Sequence, residues 1–585
     1  MFRPVTIGIL LVITCATKGK EAVPSENKVC NETVCRDLGN KIEAQMGSCE
    51  PCNDFHDYVC GNWNGSQEPK PLALKKKAVE DLIVLLENAT TPSSVPVNAM
   101  DKLILAYRSC TRKNGDTEAL KKSIKNVLNG YNLGEWPIQQ TGSTGVAGDD
   151  YVALLKKIGP RPVFHYSVEV DNDGMPTIVM SKPTDFEVSG VDYADYANYA
   201  DEPEPRSGNY VDGTPSPFHY SQEEYEAYYK TFITKSIALA ADSITEEQSS
   251  KIADAIIAFE KNLSKFADEA QAKPTKLNLS QLSEKIMDNF PMADVLQKDL
   301  SVINFTIRGT TEVNVTYPDY YTAVIKYLKN GTDKNALGNY AMWTVVRKMA
   351  EAEETALHEV YLEYKSNTSI YGIQSISKSN DTKSHCLLQL LQPDVMYSAG
   401  ASYYSRNKFD INAKKEVTKI FDFIMKEFML FVENNTWMSQ DIKKAALDRL
   451  KTMEVVIGYP DWILQNSTIN FLYKYASIAS ENVSFVEHFH ELKENDHFQK
   501  LLILKNCNIN KTNDNVTLRS HAYYDEASDT LAYPAASLVT HYRPSPIPRA
   551  MNFGTIGTIF VQLLSIAVDR FHGRYGKPKD DFWDT

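Results

Sequence analysis

The uncharged run from Thr558 to Val568 constrains this chain more than any other stretch. Within and just ahead of it, Ile556, Ile559, Phe560, Leu563, Ile566 and Ala567 recur at three-and-four spacing, the pattern of a helix that turns one face into a core. Gly554 and Gly557 lead into the run and Asp569 closes it. A helix this apolar has to be covered, and 585 residues at 43 % apolar and 23 % charged can supply the covering core. Helical spacing returns from Leu74 to Leu133, through Ala78, Leu82, Leu85 and Leu86 and then Leu103, Ala106 and Tyr107. Thr245-Glu246-Glu247 opens a helix with the face Ile252, Ala255, Ile256, Phe259 and Leu263, and another carries Val417, Ile420, Phe421, Ile424, Phe428 and Phe431. A further helix follows Trp437, with Ser439 as its cap and Asp441 in its first turn, and is expected to run to a stop at Gly458-Tyr459-Pro460. One β-hairpin is expected, from the alternation Val163 to Val170, the turn Asp171-Asn172-Asp173-Gly174 and the return Thr177 to Met180. No internal repeat is visible, which argues against a solenoid.

The compartment follows from the first residues and the cysteines. Arg3, an apolar stretch from Val5 to Thr14 and the small-residue site Thr14-Cys15-Ala16 read as a secretory signal, too short to span a bilayer. No later segment of about 20 apolar residues stands out as an anchor, so the expectation is a secreted chain with no membrane span. Beyond the signal, Cys30, Cys35, Cys49, Cys52, Cys60, Cys110, Cys386 and Cys507 form an even set suited to an oxidising compartment. Fifteen Asn-x-Ser/Thr sequons, from Asn31 to Asn515, point to a glycoprotein. A net charge of -13 argues against a nucleic-acid binder, which would need a basic face. Residues 185–229 break the helical texture, with seven acids and no Lys or Arg between Asp185 and Pro205. There Tyr193, Tyr196 and Tyr199 recur beside Asp192, Asp195 and Asp201, as in a solvated acidic loop whose tyrosines suit sulfation and a basic partner.

Several motifs are specific. Pro51-Cys52-Asn53-Asp54-Phe55-His56-Asp57-Tyr58-Val59-Cys60-Gly61-Asn62-Trp63, the run from Trp437 through Asp448-Arg449-Leu450 to Gly458-Tyr459-Pro460-Asp461, and His521-Ala522-Tyr523 eleven residues before Pro534 come first. Asn552-Phe553-Gly554-Thr555-Ile556-Gly557, Gly573-Arg574 and Asp581-Phe582-Trp583 complete them. Together they resemble the neprilysin family of zinc endopeptidases, from Cys30 to Trp583. In that family Asn-Tyr-Gly-Gly-Ile-Gly leads to His-Glu-x-x-His-Gly-Phe-Asp, then Gly-Arg and Asp-Trp-Trp. Two histidines four apart share a helix face and one zinc ion, with the glutamate as base for bound water. Counted from Gly557, the family's histidines fall on Gln562 and Ile566 and its glutamate on Leu563. The sequence also runs only to Thr585, short of the family's third ligand, a later glutamate.

The resemblance implies a mainly α-helical fold with small β elements, two-lobed, with an incomplete thermolysin-like catalytic lobe. Its expected divisions are a signal peptide at 1–16, a polar spacer at 17–48, the first part of the catalytic-side lobe at 49–240, a helical second lobe at 241–480 and a truncated catalytic part at 481–585. It implies pairing of Cys30 with Cys35 and of Cys110 with Cys386, and leaves Cys49, Cys52, Cys60 and Cys507 open. It places substrate backbone along an edge strand at His521, Ala522 and Tyr523, where the family's asparagine amide is replaced by His521. Zinc is expected only in active members. The site chemistry therefore favours a catalytically inactive homologue that binds extracellular peptides or proteins. The alternatives are an active zinc endopeptidase for short extracellular peptides, with ligands from elsewhere, and an interaction protein acting through the acidic tyrosine loop. Other histidines do not rescue the motif: His490-Glu491 meets Glu494 a turn later and His358-Glu359 meets Leu362, so these, with His488 and His497, are expected to be solvent-facing helix residues.

Overall fold

The computed structural model describes residues 30–63, 70–90, 97–112, 117–139, 151–170, 174–189, 221–330, 334–353, 355–368, 381–505, 516–526 and 528–569. The signal, the three tyrosines of the acidic loop, Cys507 and the motifs after Asp569 lie outside them. The chain divides into two compact units, one from Asn88–Ala399 with Ser467–Asn513 and one from Met1–Glu87, Gly400–Asn466 and Asp514–Thr585.

The middle unit is a helical body around one small sheet. Strands β1 (His165–Val170) and β2 (Pro176–Ser181) form the expected antiparallel hairpin. β3 (Thr275–Asn278) and β4 (Glu312–Val315) complete a sheet ordered β1-β2-β4-β3, in which β2 and β4 are parallel. Parallel neighbours need a long crossover, and the helices Gln222–Ala240 and Glu246–Glu269 lie in the intervening chain. Thr245 caps the second of these through Gln248 N–H, and Gln248 reaches back to Thr245 N–H. Its buried stripe is Ala253, Ile256, Ile257, Phe259, Glu260 and Leu263, so Ile252 and Ala255 sit at the margin rather than in the core. The Cys110–Cys386 disulfide forms as the resemblance implied, tying helix Ala99–Thr111 to helix Thr382–Leu390. The divisions expected at 240/241 and 480/481 both fall inside this unit. One sheet holds β1 to β4, and helix Phe485–Leu501 packs on helices Thr117–Asn129 and Lys334–Met349.

The other unit opens with two surface helices, Thr33–Gln45 and Phe55–Cys60, neither of which buries a residue. Part of the expected polar spacer is thus helical, and Cys30 and Cys35 are bonded just ahead of that helix and within it. Gly47 and Gly61 pass so close to the Asp57 carbonyl that an added Cβ would stand 2.2 and 2.6 Å from its oxygen, which explains the glycine after Cys60. Further on, α1 (Ile411–Asn434) buries Val417, Ile420, Phe421, Ile424, Phe428 and Val432, while Phe431 is only partly covered. α2 (Gln440–Thr452) starts at Ser439, whose hydroxyl accepts from Ile442 N–H. It ends at Thr452, earlier than the sequence suggests, because Val455-Val456-Ile457 belongs to β5 (Glu454–Gly458). β-branched residues favour that strand, and Gly458 at φ 79° ends it. β6 (Tyr523–Asp525) and β7 (Thr530–Pro534) complete a sheet ordered β5-β7-β6, with β5 parallel and β6 antiparallel to the central β7. α3 (Ala535–His541) follows, and α4 (Thr558–Asp569) is reached through Arg549–Asn552 and a π-helical turn at Phe553–Gly557. Counted together, Arg549–Asp569 is long and apolar enough to cross a membrane by length and composition, contrary to the expectation that no later segment of about 20 residues stands out. Here it packs on α1, α2, β6 and β7.

Candidate functional site

The frame around α4 is built from its own motif. Asn552 is buried, and its amide both accepts from Arg543 N–H and donates to Arg543 C=O, each at 2.8 Å, so it clamps the loop that leads into the helix. An added Cβ on Gly557 would stand 3.0 Å from Ile424 Cδ1, so glycine allows a close approach to α1. Phe560 meets Phe421 of α1 at 4.8 Å and Tyr533 of β7 at 5.2 Å between ring centroids, locking helix, neighbour and sheet together. Leu563, Leu564 and Ala567 are buried behind it.

On this helix the three positions of interest do not make a cluster of donors. Gln562 is exposed, Leu563 is 6 % exposed and Ile566 is partly buried. Zinc, which the resemblance implies for active members, requires imidazole, thiolate or carboxylate donors. A neutral amide and two alkyl side chains do not fit it. Among the described residues no three His, Cys, Asp or Glu side chains converge elsewhere as a metal site.

The expected edge strand is present and anchored. Among the described residues β6 pairs only with β7, leaving its other side as the sheet edge. His521 and Ala522 lie just before the strand and Tyr523 opens it, all partly exposed. Tyr524 is buried, and its hydroxyl accepts from Arg449 Nη2 of α2 and donates to Asp529 Oδ1 at 3.0 Å. Arg449 Nη1 meets Asp529 Oδ2 at 2.9 Å, which closes a triad holding the β6–β7 hairpin against α2. Burial pushes the Tyr524 phenol up. The Arg519 guanidinium lies 4.4 Å over the Tyr523 ring, and the His521 ring stands edge-on to it at 6.5 Å.

The histidines set aside in the sequence are not solvent-facing. His488 is 2 % exposed, its Nδ1 lies 3.0 Å from Ser109 Oγ, and burial pushes it down to about 4. His358 is buried with its Nδ1 3.0 Å from Ala350 C=O. For His488 the reason is that helix Phe485–Leu501 is covered on several sides, with Val486, Phe489 and Leu492 also buried. On the same helix Glu494 accepts from Arg161 Nη1 and Nη2 at 2.6 and 2.8 Å. Arg161 Nε reaches Asp299 Oδ2 at 3.1 Å, Tyr166 donates to that oxygen at 2.8 Å, and His497 Nε2 lies 3.3 Å away. Burial alone would raise the Glu494 carboxyl, but Arg161 and the nearby histidines hold it down at about 2. This network joins three distant segments and was missed in the sequence, where only the acids and histidines of one helix stood out.

Of the cysteines left open, Cys49 and Cys52 are exposed and Cys60 partly so, and all three are free thiols.

The model for peptidase family M13 matches residues 51–460. The chain is similar to Neprilysin-1 of Trittame loki, 24 % identical over 96 % of this chain and 77 % of that protein, and to mouse neprilysin, 21 % identical over 98 % and 76 %. In structure it is similar to the Mycobacterium tuberculosis zinc metalloprotease Zmp1 in its open state, with TM-score 0.61, 16 % identity and coverage of 89 % of this chain and 75 % of that one. PepO from Lactobacillus rhamnosis gives TM-score 0.55 at 14 % identity, covering 89 % and 77 %. The structural likenesses show a shared fold.

Proposed function

From the premise that the chain belongs to peptidase family M13, we propose that it is a catalytically inactive member, exported and glycosylated, that binds peptides or proteins along the edge of β6. One observation carries the reading: the helix in the family's zinc-motif position presents an amide to solvent and a leucine to the core. Neither side chain ligates zinc, and Leu563 has no proton to move. Without a Lewis acid or base there, the scissile carbonyl is not polarised and no water is activated.

Binding has separate support. An open strand edge offers unpaired N–H and C=O groups to an extended peptide, and this pairing needs no metal. The Arg449-Tyr524-Asp529 triad keeps the edge in place. The bonded cysteine pairs and the many sequons support export. Family membership favours a second reading, an active zinc endopeptidase for short peptides with ligands supplied from elsewhere.

The test is to incubate the purified full chain with a library of short peptides, with and without chelator, and follow both binding and cleavage. Binding without cleavage, unchanged by chelator, is the expected result. Chelator-sensitive cleavage would establish the second reading instead.

A further inference from the structure

Backbone pairing along a strand edge is blind to sequence, so any preference has to come from side chains that face the incoming strand. On β6 these side chains carry charge in a definite order. At its leading end Arg519 covers Tyr523 at 4.4 Å and His521 stands beside the same ring. At its trailing end Asp525 and Glu526 are partly exposed, and the Ser528 hydroxyl donates to Asp525. Asp529, next along, is already engaged by Arg449 at 2.9 Å. Tyr524 turns into the core, so strand alternation puts Tyr523 and Asp525 on the opposite, outward side. From Tyr523 to Asp525 the outward groups thus run from the Arg519 cation over the ring to a carboxylate, two residues or about 7 Å apart.

We infer that this edge selects an extended peptide whose charges run in the complementary order. A Lys or Arg of the peptide lies opposite Asp525, and two residues later an Asp, Glu or terminal carboxylate lies opposite Tyr523, where the Arg519 guanidinium sits. The order assumes antiparallel pairing, the more stable arrangement per residue. Two residues is also the spacing that returns both charges to one face of an extended peptide. The inference rests on β6 being the peptide-binding edge. Opposite charges directly across strands stabilise and like charges destabilise, by a few-fold for each partly exposed pair and by about ten-fold for the two pairs together.

The test uses three labelled octapeptides with the purified full chain, read by fluorescence anisotropy at low and high salt. One has Arg two positions before Glu, one has the two exchanged, and one has Gln at both positions. The Arg-first peptide is expected to bind about ten-fold more tightly than the exchanged one, with the gap narrowing at high salt. An Arg519→Glu/Asp525→Lys variant with unchanged circular dichroism and thermal unfolding is expected to prefer the exchanged peptide. Equal affinity for all three peptides, or tighter binding of the exchanged one to the unmodified chain, overturns the charge order and leaves edge binding standing. No binding of any of the three removes edge binding, and the charge order with it.

Discussion

Helix α4 and helix Phe485–Leu501 make opposite use of the same chemical vocabulary. Phe485–Leu501 carries three histidines and several acids, the groups from which metal sites are built, and spends them on structure. Its Glu494 and His497 close on Arg161 and Asp299, and its His488 is sealed against Ser109. α4 has the glycine frame, the Asn552 clamp and tight packing ahead of it, and no imidazole, thiolate or carboxylate at Gln562, Leu563 or Ile566. Donor-rich sequence is therefore no guide to a metal site unless the donors are left uncommitted. A helix can keep the packing of its frame without carrying donors, because the residues that fix its neighbours, such as Phe560 and Gly557, are not those at the motif positions.

That contrast predicts where each helix is vulnerable. Arg161→Ala strands Asp299, 4 % exposed at its side chain, and Glu494 without their cation, and should destabilise the middle unit by about 4 kcal/mol in denaturant titrations. If the cost is below 1 kcal/mol, the network is not structural. Leu563→Glu places a carboxylate where the family has its catalytic one. Because that position is core here, it should cost about 3 kcal/mol. Easy tolerance would mean that α4 faces an open site.

The pH dependence of the middle unit separates groups of opposite sign. His488, lowered from 6.5 to about 4, contributes stability that is full above its unfolded value and lost as pH falls through about 4. Glu494 behaves likewise, with full contribution above its unfolded value of 4.5 and loss as pH falls through about 2. Glu260, raised by burial to about 7 despite Arg347, contributes fully below 4.5 and loses that contribution as pH rises through about 7. Urea midpoints against pH should therefore fall on both sides, and Glu260→Gln should flatten only the neutral side. Tyr524→Phe removes a buried hydroxyl from the Arg449 and Asp529 triad, should cost about 1 kcal/mol, and should weaken peptide binding at β6. Gln562→Ala, on the exposed face of α4, should change stability by less than about 0.5 kcal/mol.

Much of this was legible in the sequence because it is local. The buried stripe of α4, the faces of α1 and Glu246–Glu269, the Ser439 cap and the β1–β2 hairpin all follow from spacing within a few residues. What was not legible depends on distant partners. Val455 to Ile457 becomes a strand only because β7, far along the chain, lies beside it. His488 is buried because neighbours cover its helix on the side that composition suggested was open. Arg161 gave no signal alone, since Asp299 and Glu494 reach it from 138 and 333 residues away. For the site, motif alignment led to Gln562, Leu563 and Ile566, and the fold adds which of them faces water and which faces the core.

The most direct test of the central claim is the zinc content of the full chain, purified without chelator and measured by elemental mass spectrometry against protein concentration. The account predicts no bound zinc, because Gln562, Leu563 and Ile566 offer no ligand set. One tightly held zinc per chain would contradict it and would place a metal centre outside the donors described here.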